Sequence, residues 1–154
     1  MAKRLIFNKS EDILRKKCKP VEVFDKKLAK LIDDMKETLV AANGVGLAAP
    51  QVGFLRRICV IDTPECGFFE LVNPEIIEFS GQQRDVEGCL SCPNEWGYVT
   101  RPMKVKFRAF DRNGNVYEQE AEGLFARAVF HECDHLDGKL FLDLVEEFVS
   151  VEEQ

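Results

Sequence analysis

Both histidines of this chain stand in one five-residue word, His131-Glu132-Cys133-Asp134-His135. No other feature limits the fold so much, because the word has a use only on a helix. There, residues four apart share one face about one turn apart, so two imidazoles can close on one ion. Glu132 projects roughly 100° round from His131, within reach of a water on that ion. The pattern predicts a metalloenzyme. A surface helix that carries His, Glu and His by chance is the plain alternative.

Residues 123–136 read as the helix in question. It is apolar nearly all round, through Leu124, Phe125, Ala126, Ala128, Val129, Phe130, Cys133 and Leu136, and Asp137-Gly138 stops it. A helix of that kind is wrapped by the rest of its domain, which predicts a cleft around His131 and His135. A first helix is expected over 25–42, with Leu28, Leu31, Ile32, Met35 and Leu39 as one apolar stripe. Asp25 caps its start and Asn43-Gly44 offers a left-handed stop. Residues 57–62 read as a buried strand. Two further strands, 68–72 and 75–79, are expected on either side of Asn73-Pro74. Residues 103–111 and 116–121 form a hairpin, signalled by Asn113-Gly114.

Strands fill the middle and the helices lie towards the two ends, an α+β arrangement. The fold expected is antiparallel or mixed strands packed around a central helix with the histidine word, plus an N-terminal helix. With no repeat or linker in its 154 residues, the chain reads as one domain, 1–154.

Composition excludes several partners. Apolar residues at 45% and charged residues at 31% are ordinary for a soluble globular protein. A net charge of −6 disfavours nucleic acid and anionic membrane, since both need a basic face. No apolar run approaches the ~20 residues of a membrane span. The positive start is followed by an apolar stretch far short of the ~7–15 residues of a signal peptide. A cytoplasmic protein is expected. Its six cysteines are then better explained by metal binding, catalysis or burial than by disulfides.

A catalytic ion usually keeps three protein ligands and one open position. With both histidines spent, the third ligand is a carboxylate or a cysteine. Phe141 stands where one extended metalloprotease word ends in a third histidine, and Phe cannot ligate. Glu146, Glu147, Glu152 and Glu153 follow His135 too closely to return easily to the ion. A cysteine is the better candidate, and Glu87-Gly88-Cys89-Leu90-Ser91-Cys92-Pro93 offers a distinctive setting. Upstream, Gly44-Val45-Gly46-Leu47-Ala48-Ala49-Pro50-Gln51-Val52-Gly53 is small and nearly uncharged. Such a stretch suits a close backbone approach, or simply a tight packing loop.

Together these three words resemble the peptide deformylase family. Its members carry a Gly-x-Gly-Leu-Ala-Ala-x-Gln word, a Glu-Gly-Cys-Leu-Ser word and a His-Glu-x-x-Asp-His-Leu-like word, in this order and at similar spacings. Two departures bear on substrate fit rather than on the ligands: Phe130 where Gln is common, and Trp96 where an Arg is often seen.

The resemblance implies a divalent ion held by Cys89, His131 and His135, with Glu132 as general base. It implies Gln51 and the Leu90 backbone N–H as oxyanion donors. Val45, Gly46 and Gly88 would offer main-chain hydrogen bonds to the substrate, the N-formylmethionyl end of a nascent chain, met at the ribosome. The methionine side chain would enter a pocket near Val45, Leu124, Ala128 and His131. Glu87 and Arg101 match a pair that braces the cysteine loop; an exposed pair of little consequence is the alternative. The ion implied is Fe²⁺ in the cell, with Zn²⁺, Ni²⁺ or Co²⁺ as substitutes, in a monomer.

Three other readings compete. Cys89, Cys92, His131 and His135 also make a Cys₂His₂ set for a closed structural zinc. An HExxH metallopeptidase would need a late glutamate as ligand. A Cys-x-x-Cys redox module lacks its βαβ context. Cys18, Cys59 and Cys66 are expected as packing residues, Cys92 as a small buried hydrophobe, and Cys133 facing away from the ion.

Overall fold

The computed structural model describes residues 2–150. In chain order its elements are α1 (Lys26–Ala41), β1 (Gly46–Ala48), β2 (Ile58–Thr63), β3 (Gly67–Ser80), β4 (Gln83–Cys89), β5 (Cys92–Arg101), β6 (Lys104–Phe110), β7 (Val116–Glu122), α2 (Leu124–Leu136) and β8 (Glu147–Val149). One sheet has five strands in the order β1-β2-β3-β6-β7 and a second has three, β4-β5-β8. Every pairing within them is antiparallel.

Strand β2 is apolar at successive positions because both of its faces are covered. Ile58 and Val60 belong to a cluster with Leu28, Ile32, Met35 and Leu39 of α1. Cys59 and Ile61 alternate to the other face, packing with Leu71, Phe107, Phe125 and Val129. The five-stranded sheet thus carries α1 on one side and α2 on the other. Ile32 and Met35 are fully buried, so truncating either to alanine would cost about 2–5 kcal/mol. Among the described residues no helix is long and apolar enough to cross a membrane.

Asp25 caps α1 by accepting from Leu28 N at 3.0 Å, and Asn43 takes the left-handed conformation beyond its end. Two expectations need correction. Residues 67–80 make one strand rather than two, with register shifts after Val72 and after Ile76. Asn73-Pro74 sits in the bulge, where Pro is tolerated. The Asn73 side chain replaces the missing ladder bonds, accepting from Val21 N at 2.8 Å and donating to Val21 O at 2.9 Å. The β4–β5 hairpin escaped the pattern because Gln83-Arg84-Asp85-Val86-Glu87-Gly88 is poor in strand-forming residues. Pairing and buried ion pairs hold it instead.

The N-terminal segment stitches these parts together. Phe7 N donates to Gln51 O at 2.7 Å, Lys9 N to Ser91 O at 2.8 Å and Cys18 N to Leu136 O at 2.9 Å.

Candidate metal centre

Strand β4 ends at Cys89, and the turn Leu90-Ser91 returns the chain into β5 at Cys92. That turn brings the Cys89 thiol over α2. The ligand atoms of Cys89, His131 and His135 lie within 4.8 Å of one another, and Cys89 Sγ is 3.3 Å from His135 Nε2. Cys92 is not among the converging donors. It is buried beside Val99 and Phe141 as a small hydrophobe.

Glu87, two residues before Cys89, is buried and accepts four hydrogen bonds. Arg101 Nη2 and Nε donate at 2.7 and 3.2 Å, Arg127 Nη1 at 2.9 Å and His131 Nδ1 at 2.6 Å. Burial alone would raise the Glu87 carboxyl, but the His131 bond and the Arg101 guanidinium hold it well below the usual carboxylate range. A carboxylate can only accept, so His131 donates from Nδ1 and keeps Nε2 for an ion. Arg101 and Glu87 are 4% and 5% exposed, which settles the brace as a buried pair. Arg101 also donates to Asp134 at 2.7 Å.

Arg127 was missed in the sequence. It donates to Val99 O and Gln83 O as well as to Glu87, tying α2 to the second sheet. A charged residue one turn before His131 in an apolar helix was the available signal, because a buried guanidinium must be paired. Ser91 was missed too, and carried no such signal.

Gln51 lies in a short 3₁₀ turn, Ala49–Val52, that follows β1. Its Oε1 accepts from Ala48 N at 2.9 Å, which fixes the amide so that Nε2 faces Ser91 Oγ at 3.0 Å and Cys89 Sγ at 3.6 Å. Glu132 stands beside the donors, with Oε2 4.0 Å from His131 Nε2. A Cβ at Gly46 would collide with the Glu132 carboxyl, so glycine there is a close-approach requirement of the site. Burial first, and the Glu87 charge in support, push Glu132 up to about 7. Burial pushes His135 well down, which favours a neutral imidazole. Glu132 Oε1 and His135 Nδ1 are buried without a hydrogen-bond partner among the described residues.

A cavity of about 300 Å³ opens beside these groups. Val45, Gly46, Gly88 and Leu90 line it, and so do Leu124, Ala128 and His131, so the expected substrate residues share one space. A larger groove of about 1000 Å³, between Phe79, Lys104 and Glu122, holds none of the three donors. Cys18 and Cys59 are buried as expected, and Cys133 packs partly buried against the α2 core cluster. Cys66 is a correction. It is exposed, in the turn between β2 and β3, where its N–H donates to Thr63 Oγ1 at 3.2 Å.

Comparison with known proteins identifies the family. The chain is 61% identical over 153 residues to a peptide deformylase of Caldicellulosiruptor bescii, covering 99% of this chain and 92% of that one. The crystal structure of a peptide deformylase from Legionella pneumophila superposes with a TM-score of 0.90 at 45% identity, covering 94% and 87% of the two chains. That of Thermotoga maritima gives 0.92 at 39% identity, covering 95% and 99%. The match to the polypeptide deformylase family runs over residues 3–150, and this chain belongs to that family.

Proposed function

We propose that this chain is a metal-dependent hydrolase that removes the N-formyl group from the formyl-methionine end of newly made polypeptides and releases formate. The observation that carries the reading is the convergence of Cys89, His131 and His135 beside Glu132 at an apolar cavity. The donor set fits one divalent ion. Sulfur and nitrogen ligands of a tetrahedral ion lie about 3.6 Å apart, given bonds of ~2.3 and ~2.0–2.1 Å, and Cys89 Sγ and His135 Nε2 are 3.3 Å apart. Two imidazoles and a thiolate suit Fe²⁺, the ion we assign in the cell, and Zn²⁺, Ni²⁺ or Co²⁺ as substitutes.

Such an ion, when bound, supplies Lewis acidity to the attacking water and the formyl oxygen. Glu132 takes the proton from that water as it adds to the formyl carbon, then passes it to the leaving amine. Its carboxyl is buried beside the donors, with Oε1 free of any hydrogen-bond partner among the described residues, and so is placed for both tasks. The Gln51 amide and the Leu90 N–H donate to the developing oxyanion, each worth about 2.7–4 kcal/mol in such a role. Two free sheet edges receive the peptide: β1, with Val45 beside it and Gly46 in it, and β4 with Gly88. Strand addition of this kind reads the end and direction of a chain through main-chain bonds. The methionine side chain fills the space by Leu124 and Ala128.

We place the enzyme in the cytoplasm as a monomer built around α2, meeting nascent chains at the ribosome without direct nucleic-acid or membrane contact. A structural zinc is disfavoured because Cys92 stays outside the donor group. Anaerobically purified protein, with its metal content measured, is expected to release formate from formyl-Met peptides. A metal-loaded sample without that activity would overturn the reading.

A further inference from the structure

We propose that Trp96 reads the second residue of the substrate and favours an aromatic or large apolar side chain there; the inference rests on the deformylase reading above. Trp96 lies on β5, and the pairing of Glu87 with Gly97 sets Gly88 of β4 beside it. A Cβ at Gly88 would collide with Cζ3 and Cε3 of the indole. The ring therefore lies across Gly88 and fills the space of the absent side chain. Among the described residues strand β4 ends the order of its sheet, so no other strand pairs with its far edge. A peptide laid along that edge runs about 4.8 Å from Gly88, one strand spacing away. The indole reaches it over a single glycine.

Side-chain alternation decides which residue meets the ring. With the methionine side chain turned into the cavity, on the face that Glu87 and Cys89 share, the next residue turns to the face of Gly88 and Trp96. The ring lines the cavity mouth and keeps 38% of its surface exposed. Apart from the imidazole of His131, it is the one aromatic ring among the lining residues. An aromatic partner should gain roughly two- to tenfold in affinity from the ring pair.

The test uses the metal-loaded protein and two substrates, formyl-Met-Phe-Ser and formyl-Met-Ala-Ser. The ratio of kcat/KM, Phe over Ala, is expected to be roughly two to ten in the native protein, with the difference in KM. Trp96→Ala should bring the ratio to about one, while Trp96→Phe retains most of it. Because the chain has one tryptophan, saturating formyl-Met-Phe-Ser should also shift its emission in the native protein. That measurement stands even if Trp96→Ala fails to fold. Equal ratios in native protein and Trp96→Ala, or unchanged emission at saturation, would overturn the contact and leave the deformylase reading intact. No turnover of either peptide would overturn both.

Discussion

His131 gives its Nδ1–H to Glu87 Oε2 at 2.6 Å, and that one bond sets which nitrogen of the ring faces Cys89 and His135. Two guanidiniums, Arg101 and Arg127, hold the same carboxylate in place. Glu87→Gln removes the charge and keeps the shape. Metal affinity is expected to fall about 10–100-fold, read by competition with a chelator of known affinity. Native affinity in that variant would leave Glu87 a role in packing alone.

Cys89→Ala, His131→Ala and His135→Ala should each lose the ion, because among the described residues only these donors converge. Cys92→Ala should keep both ion and activity. Metal analysis of the four purified variants checks this, and loss of metal from Cys92→Ala would favour the closed structural site.

Gln51→Ala removes an amide that Ala48 N locks towards Ser91 and Cys89. The variant should fold and bind metal but turn over about 10²–10³-fold more slowly. The loss should fall mostly in kcat, as for an interaction made only in the transition state. A native rate would take Gln51 out of the mechanism.

Glu132→Gln should retain one equivalent of metal and lose ~10²–10⁴-fold in hydrolysis, because the amide accepts no proton. Metal content and formyl-Met peptide turnover are measured on the same sample. Full activity would sink the general-base role, and loss of metal would make Glu132 a ligand.

Acid stability should depend on Asp34. Burial alone would raise this carboxyl, but bonds from Ala2 N, Lys30 and Arg4 hold it below its ordinary value. Its contribution is therefore fully present above the unfolded carboxylate pKa of ~3.9 and disappears as pH falls through the lower folded value. Asp34→Asn should lower Tm at neutral pH and lower it less at pH 3. An equal loss at both pH values would show that charge is not what Asp34 contributes.

The three proposed donors were legible for different reasons: the histidines stand a four-residue step apart on a helix, whereas Cys89 followed from the lack of a third histidine and from the resemblance of its Glu-Gly-Cys-Leu-Ser word. The hairpin that presents Cys89 was not legible. Its first strand, β4, is polar and charged, and besides strand pairing it is held by Arg101 and Arg127, which lie 14 and 40 residues from Glu87. The sequence pattern divides β3 in two because Asn73-Pro74 is a turn signal. The bonds that absorb the bulge come from Val21, 52 residues away. Cys66 was read as packing because burial is the commonest fate of a free cysteine, and nothing in its neighbours marks the turn as open. In each case a distant partner, or the lack of one, decided the outcome.

The stitching of Phe7, Lys9 and Cys18 to Gln51, Ser91 and Leu136 has a consequence in time. During synthesis a chain made only as far as Gly88 carries none of the three ligands, and one ending before His131 carries one. The opening residues then wait for Ser91 and Leu136 before their own backbone bonds can close. Contacts of such long sequence separation form slowly. The full set of proposed donors exists only once His135 has been made, so the site is among the last parts of the molecule that synthesis can complete.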